Sequence, residues 1–170
     1  MGLFFDFFPA PAFRPCFKIE LRLREMTTLG ISPITDADVE AVIALWQRCG
    51  LTRPWNDPAS DIAFARRRDN ATILVGRAAG KIVATAMVGH DGHRGWVYYV
   101  AVDPDRQGND FGRAIMAAAE DWQRAQGVTK VMLMVRPDNV AVQAFYDKLG
   151  YDVQERLIYA KWLDGREMTP

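Results

Sequence analysis

The stretch VAVDPDRQGNDFGR, residues 100–113, decides the fold because it joins a predicted strand to a predicted helix through a loop that contains glycine. Aromatic and β-branched residues predict the strand over residues 96–102. Apolar residues at helical spacing predict the helix from Phe111 or Gly112 to residue 126. The sequence therefore predicts a consecutive strand, glycine loop and helix over residues 96–126.

The loop between this strand and this helix predicts an anion site. A helix N-terminus leaves backbone N–H groups without partners, and the helix dipole favours negative charge there. Gly112 lets a ligand such as a pyrophosphate approach the backbone closely. The loop lacks both the Gly-Lys-Ser/Thr sequence of a P-loop and the three glycines of a Rossmann motif. An ordinary strand-to-helix turn therefore stays open as an alternative.

A second informative stretch, NVAVQAFYDKLGY, covers residues 139–151. Tyr146 follows Asn139 by seven residues, so two helical turns place both on the same side of a predicted helix. The Asn139 amide can bind a ligand amide, and the Tyr146 phenol can donate a proton. A plain helix N-cap and a core aromatic are the structural alternatives for these two residues.

Together the two stretches resemble the GNAT superfamily of acyl-CoA-dependent N-acetyltransferases, over about residues 28–162. The family motif Gln/Arg-x-x-Gly-x-Gly/Ala matches residues 107–112, QGNDFG, and its later Asn…Leu-Tyr…Gly-Phe pattern matches residues 139–151. Residues 53–58 (RPWNDP), Asp61-Ile62 and residues 89–95 (GHDGHRG) are more similar to the YpeA-like branch of the family.

The resemblance implies that acetyl-CoA is the cosubstrate and that its acetyl group passes to a primary amine by direct attack in a ternary complex. Tyr146 would protonate the leaving thiolate, and a backbone N–H at the strand end, such as that of Val100, would stabilise the charge on the thioester oxygen. The implied cofactor-binding residues lie on the strand, on the loop and at the second helix: Val100, Ala101, Val102, Gln107, Gly108, Asn109, Asp110, Phe111, Gly112, Arg113 and Asn139.

Asp110 departs from the motif, which usually has glycine at this position. A carboxylate that points toward a pyrophosphate would repel it, so we expect weakened acetyl-CoA binding. The same residue keeps a second hypothesis open, in which the chain is a non-catalytic acyl-CoA sensor or regulatory module.

The acceptor is predicted to be a small molecule or a peptide, and its site is predicted in two segments. Arg53, Trp55 and Asn56 lie in a loop between two predicted helices that borders the acceptor side in this family. His90, Asp91 and His93 lie in a polar turn and are candidates for the general base, as are Glu40 and Asp57. Packing for Trp55 and simple chain turning at Asp91 are the alternatives. No metal is expected, because histidines on one turn rarely converge on an ion.

The order of predicted elements is β α α β β β α β α β β, which indicates an α/β or α+β domain. The fold expected is the GNAT acyl-CoA N-acyltransferase fold, with a mixed, mostly antiparallel central sheet flanked by helices. Two stretches that bear on the later part of this sheet are predicted as strands: a buried one over residues 131–135, and a final pair over residues 151–157 and 158–162.

Composition narrows the classes of partner. The 170 residues carry 21 Lys and Arg against 21 Asp and Glu, so no global field attracts nucleic acid, and residues 66–68 (RRR) are interpreted as a solvated face. Two cysteines predict neither a disulfide framework nor a thiolate zinc site, and no apolar run approaches the length of a membrane span. A cytoplasmic protein without a membrane or nucleic-acid partner is expected, and the resemblance leaves a homodimer through the final strands open.

The first 25 residues differ from the rest and are expected to be an extension. They lack the positive charge that precedes a signal peptide's apolar stretch, although residues 17–24 alternate as a strand does. Met26 is the preferred alternative start, with one GNAT domain over residues 26–165.

Overall fold

A computed structural model describes residues 28–166, which form two compact units, residues 28–134 and residues 135–166. Residues 1–25 and the strand predicted within them lie outside the described part. The first unit contains β1 (Gly30–Pro33), α1 (Val39–Arg48), α2 (Pro58–Ala65), β2 (Ala71–Ala78), β3 (Lys81–His90), β4 (Gly95–Val102), α3 (Phe111–Ala125) and β5 (Val131–Met132). The second contains α4 (Val140–Lys148). Among the described helices, none has the length and apolar character that crossing a membrane would need.

The five strands of the first unit form one sheet in the order β1-β2-β3-β4-β5. The pairs from β1 to β4 are antiparallel, and β5 is parallel to β4. β2 and β3 form a hairpin, as expected from two consecutive predicted strands joined by Ala79-Gly80. Its two linking residues, Ala79 and Gly80, both have positive φ, as the tight turns that suit twisted strands require. The expected mixed, mostly antiparallel sheet is therefore confirmed.

Helices cover both faces of this sheet. Four consecutive residues are buried in β2 and again in β3, and neighbours along a strand point to opposite faces. On one face, α1 and α2 contribute Val42, Trp46 and Ile62 to a cluster with Ile73 and Val75 of β2. The helix α3 buries its own apolar stripe: Phe111, Ile115, Met116 and Ala119.

A short chain of hydrogen bonds is buried within the apolar core of the first unit. The Trp46 indole N–H donates to Thr85 Oγ1 at 2.9 Å, and the Thr85 hydroxyl donates to the carbonyl of Tyr99 at 3.1 Å. Trp46 and Thr85 are both fully buried. A single hydroxyl thus links α1, β3 and β4.

Replacing Thr85 by Val is expected to lower the free energy of unfolding by about 1–3 kcal/mol, because the shape is kept while a buried donor loses its acceptor. Thr85→Ser is the matched control, since it keeps the hydroxyl and loses only a methyl group. Urea unfolding of both variants checks this. Equal stabilities of Thr85→Val and the wild type would contradict a structural role for the hydroxyl.

Two strand predictions are wrong. The buried strand predicted over residues 131–135 is reduced to the two residues of β5, which are half-buried. The apolar run indicates a segment that can be buried, but it does not show how many residues find a strand to pair with. Within the described residues, β5 lies at the edge of the sheet and pairs with β4 alone. The final pair predicted over residues 151–162 forms no strand there, and Val153, Leu157 and Tyr159 are each at least 80% exposed. Alternation of side chains does not supply the hydrogen-bonding partner that a strand needs.

The helix predictions hold with shorter limits. Helical spacing of apolar residues predicts the first helix from Asp36, but the chain begins there as a 3₁₀ turn over Asp36–Asp38 before α1. The second helix, predicted from the Asp57-Pro58 start to about residue 68, ends at Ala65. α3 matches its prediction closely. Asp57 caps α2 by accepting a hydrogen bond from the Ala59 N–H at 3.2 Å.

Candidate active site

β4 carries an extra residue opposite β3. Ala101 pairs with Thr85 and Tyr98 pairs with Met87, so three steps along β4 match two steps along β3. Tyr99, within this β-bulge, has φ +49°, a left-handed conformation that is uncommon for any residue other than glycine. A bulge leaves one residue out of the ladder and redirects side chains, and bulges are frequent beside active sites. Val100, the predicted backbone donor, is the next residue.

A 3₁₀ turn over Pro104–Arg106 follows β4 and is tied to the rest of the first unit. The Arg48 guanidinium, at the end of α1, donates to both carboxylate oxygens of Asp103 at 2.9 and 2.7 Å and to Asp105 at 3.0 Å. The Asp103 N–H donates to the carbonyl of Val83 at 2.8 Å. The start of the loop is thus fixed by a bidentate ion pair with Arg48 and by a backbone hydrogen bond to β3.

The remainder of the loop is open and presents backbone. Residues 107–110 are all exposed, and Gly108 has φ +79° with nothing within 4 Å of the position a Cβ would take. The Asn109 amide donates back to the carbonyls of Arg106 and Gln107, at 2.9 and 3.3 Å. The predicted loop residues are therefore brought together on an exposed backbone surface.

The loop ends at the N-terminus of α3, a 15-residue helix. Asp110 is its N-cap residue, yet the Asp110 side chain makes no capping hydrogen bond. Phe111 is buried and fixes the first turn, whereas the Arg113 side chain in the same turn is exposed. First-turn N–H groups that this carboxylate does not cap, together with the helix dipole, suit a pyrophosphate. The residues present fit the negatively charged part of acetyl-CoA.

Asp110 occupies the left-handed region, with φ +58° and ψ +10°. This backbone explains why glycine is usual at the position, and Asp is one of the few other residues that tolerate it. Asp110→Asn keeps that tolerance and removes the charge, so we expect acetyl-CoA to bind about three- to fivefold tighter, the effect typical of one exposed charge. Calorimetric titration of the wild type, Asp110→Asn and Asp110→Gly measures this. Weaker binding by the Asn variant would mean that the carboxylate contributes to the site.

The loop between α1 and α2 contains the predicted acceptor residues Arg53, Trp55 and Asn56. The Arg53 guanidinium donates to the carbonyls of Gly50 and Thr52, at 2.8 and 3.0 Å, and so holds its own loop. The Asn56 amide donates to the Tyr99 hydroxyl at 3.4 Å, and Trp55 is 43% exposed. Of the three, Asn56 is brought to the bulge through Tyr99.

Tyr99 and Asp61 are site residues that the sequence analysis did not assign. The Tyr99 hydroxyl donates to Asp61 Oδ2 at 2.6 Å, and the Tyr99 ring stacks on Trp46 with 4.0 Å between centroids. Burial and the hydrogen bond to Asp61 raise the pKa of Tyr99 to about 12. The bulge in β4 directs Tyr99 toward Asp61. A strand prediction based on strict alternation of side chains assumes that no such bulge is present.

The turn with His90, Asp91 and His93 lies at the other end of β4. Gly95 and Val100 are five residues apart, about 16 Å along a strand, so the structure does not bring this turn to the bulge. Asp91 accepts from the N–H groups of His93 and Arg94 at 2.8 and 2.7 Å and from the Trp96 indole at 3.1 Å.

Those donors determine what this turn can do. The Arg94 and His93 N–H groups, with the Trp96 indole, hold the pKa of Asp91 well below its usual range. A carboxylate held in that way is a poor general base, so its geometry fits the turn-forming alternative. Within residues 28–166, no three His, Cys, Asp or Glu side chains are grouped to hold a metal ion.

In the second unit, α4 carries the remaining two candidates. Asn139 is the N-cap, and its Oδ1 accepts from the Val142 N–H at 3.3 Å. Tyr146 is 8% exposed and meets the rings of Phe145 and Tyr151 edge to face. Burial raises the pKa of Tyr146 to about 12, so the phenol keeps its proton throughout the neutral range. Both structural alternatives are thus realised, and neither prevents a role for the residue's exposed atoms.

Comparison with known families shows which family the chain belongs to. The model of the Acetyltransferase (GNAT) family matches residues 39–151, which include β4, the loop, α3 and α4. The chain belongs to this family. It is an acetyl-CoA-dependent N-acetyltransferase, and acetyl-CoA is its cosubstrate. The resemblance to the YpeA-like branch stays a prediction.

Relatives with similar sequences carry the same general description. An acetyltransferase of Sodalis glossinidius is 45% identical over 121 residues, covering 71% of this chain and 85% of its own. An acetyltransferase of Yersinia enterocolitica is 43% identical over 127 residues, covering 75% and 90%.

Solved structures share the fold. The ribosomal-protein-S18-alanine N-acetyltransferase of Escherichia coli has a TM-score of 0.64 at 26% identity and covers 82% of this chain and 88% of its own. An aminoglycoside N-acetyltransferase in complex with CoA has a TM-score of 0.70 at 16% identity and covers 80% and 95%. The second likeness supports the fold alone.

Proposed function

We propose that this chain acetylates a primary amine, on a small molecule or a peptide, by direct attack on acetyl-CoA in a ternary complex. The observation that carries the proposal is the exposed loop of residues 107–110, which ends at a helix N-terminus that Asp110 does not cap. It follows a bulged strand, so an anion site and a distorted backbone are consecutive in the chain. Membership of the acetyltransferase family supports acetyl-CoA as the ligand of the loop and of the bulged strand.

The residues that would hold the cosubstrate belong to three segments. The backbone of Val100, Ala101 and Val102 would pair with the pantetheine arm as an added strand does. The N–H groups of residues 107–113 would bind the pyrophosphate, with Arg106 and Arg113 adding positive charge. Asn139 would contact the pantetheine. When bound, acetyl-CoA supplies a thioester whose acetyl group is passed to the amine.

The chain's own chemistry would consist of two donations. The backbone N–H of Val100, beside the bulge, donates to the carbonyl oxygen on which negative charge develops. The Tyr146 phenol, protonated at neutral pH because its pKa is about 12, donates its proton to the departing sulfur. Both groups act without a metal in this scheme. A cytoplasmic location and a homodimer stay predictions beside it.

The acceptor must lose a proton before it attacks, because an ammonium group has no lone pair. Asp91 is committed to its turn, and Asp57 caps α2 by accepting from Ala59 and from the Ser60 hydroxyl at 2.6 Å. These contacts favour a water as the proton acceptor over either carboxylate.

Release of the CoA thiol with a panel of amines tests the proposal. The panel contains a peptide with N-terminal alanine and an aminoglycoside, the groups named for two proteins of the same fold, together with alkyl amines and a lysine peptide. We expect amine-dependent release and an acetylated product by mass spectrometry. Thiol release that does not depend on any amine, or no release despite bound acetyl-CoA, would contradict the proposal.

A further inference from the structure

Asp61 presents a carboxylate whose hydrogen bonds are incomplete. It lies in the first turn of α2 and is half-buried. Its Oδ2 accepts from the Tyr99 hydroxyl, whereas its Oδ1 accepts no hydrogen bond from any residue in the range 28–166. Within that same range, no Lys, Arg or His lies within 4.0 Å of the carboxylate. A carboxylate has about four acceptor positions, so this one can take further donors.

The group that holds Asp61 is rigid. The Tyr99 ring is stacked on the fully buried Trp46, and its backbone is fixed by the bulge and by the hydrogen bond from Thr85. The Asn56 amide donates to the Tyr99 hydroxyl oxygen, so the phenol hydrogen is directed to Asp61. The carboxylate is therefore held in place by neutral groups, which leave its negative charge uncompensated.

A carboxylate that no neighbouring cation neutralises, and that has acceptor positions to spare, attracts a ligand cation and can accept its hydrogen bonds. We propose that Asp61 is a specificity-determining residue that binds a positive charge on the acceptor, and that the preferred acceptor carries a second cationic group beside the amine that reacts. This inference rests on the proposed function, because it assigns the substrate class of that reaction.

The second cation, rather than the reacting amine, is assigned to Asp61 for a chemical reason. A carboxylate beside an ammonium group stabilises its charged form and raises its pKa. The reacting amine must instead be neutral. A non-reacting ammonium or guanidinium group gains from Asp61 without that conflict, and it would orient the other end of the molecule.

A pair of amines matched in length tests the inference: 1,4-diaminobutane and 1-aminobutane. For the wild type we expect kcat/KM to be at least tenfold higher for the diamine. Asp61→Asn keeps the shape and an acceptor oxygen for Tyr99, and we expect it to lower kcat/KM for the diamine about tenfold, mainly through KM, with the monoamine unchanged. Asp69→Asn, an exposed carboxylate on the turn after α2, is the matched control and should behave as the wild type does. Raising the salt concentration should reduce the preference.

Acetyl-CoA titration of the same variants separates this inference from the proposed function. We expect Asp61→Asn to bind acetyl-CoA as the wild type does. Equal kcat/KM for the two amines in the wild type, an unchanged preference in Asp61→Asn, or acetylation of neither amine by a protein that binds acetyl-CoA would overturn the role of Asp61. Failure of the wild type to bind acetyl-CoA would overturn the proposed function itself.

Discussion

Replacing Tyr146 by Phe is expected to lower kcat by about 100-fold or more, which is the lower end of what general acid catalysis contributes. The change removes one hydroxyl and leaves the ring, so the edge-to-face contacts with Phe145 and Tyr151 stay in place. Acetyl-CoA should bind within about twofold of the wild type, because the proton is needed only when the sulfur departs. An assay of CoA thiol release measures kcat, and calorimetric titration measures the affinity for acetyl-CoA.

Tyr159→Phe is the matched control for this experiment, because Tyr159 lies in the same unit and is 89% exposed. It should leave kcat unchanged. A Tyr146→Phe variant with the turnover of the wild type would contradict the role assigned to the phenol. For an acyl-CoA sensor, by contrast, Tyr146→Phe would leave both the acetyl-CoA affinity and the output unchanged.

The raised pKa of Tyr146 has a consequence for the pH profile. Since burial raises it to about 12, the phenol stays protonated as the pH rises past the usual value of 10. We therefore expect no alkaline fall in kcat from Tyr146 below about pH 11. Any fall at lower pH must come from another group.

Replacing Gly112 by Asp is expected to weaken acetyl-CoA binding by about 30-fold or more. Gly112 lies in the first turn of α3, whose N–H groups would bind the pyrophosphate in the proposed site, so a carboxylate added here would repel it. The same carboxylate favours the helix N-terminus, so the variant should unfold at the same temperature as the wild type or at a higher one. Binding and stability are thus expected to change in opposite directions.

Gly112→Asn is the matched control, because it has the same size without the charge. It should lose affinity less than the Asp variant, and the difference between the two should shrink as salt is added. Calorimetric titration and thermal unfolding give both quantities. An Asp variant that keeps the affinity of the wild type would place the pyrophosphate elsewhere.

The sequence predicted the connection of β4 to α3 through residues 103–110 because local rules determine it. Asp103 and Pro104 end β4, apolar spacing sets the buried face of α3, and the motif of residues 107–112 identifies the connection. The N-cap position of Asn139, named as its structural alternative, depends on the same kind of local rule. Each of these features depends on residues within one or two turns of one another.

The features that the sequence did not reveal depend on residues far apart in the chain. Tyr99 contacts Asp61 because β4 has one extra residue opposite β3 at the bulge. The pattern of apolar and polar residues over 95–102 does not show this extra residue. The histidines make the turn around Asp91 a candidate for catalysis from sequence alone, whereas its position at the far end of β4 follows from the pairing of strands. The prediction of two final strands was wrong because the sequence of one segment does not show which other segment it would pair with.

The location of the cofactor is the central claim, and amide chemical shifts of the ¹⁵N-labelled protein during titration with acetyl-CoA test it most directly. We expect the largest changes at Val100 to Val102 and at Gln107 to Arg113, and small ones at the turn of residues 91–94. Large changes confined to that turn, or none in residues 107–113 at saturating acetyl-CoA, would contradict the site described here.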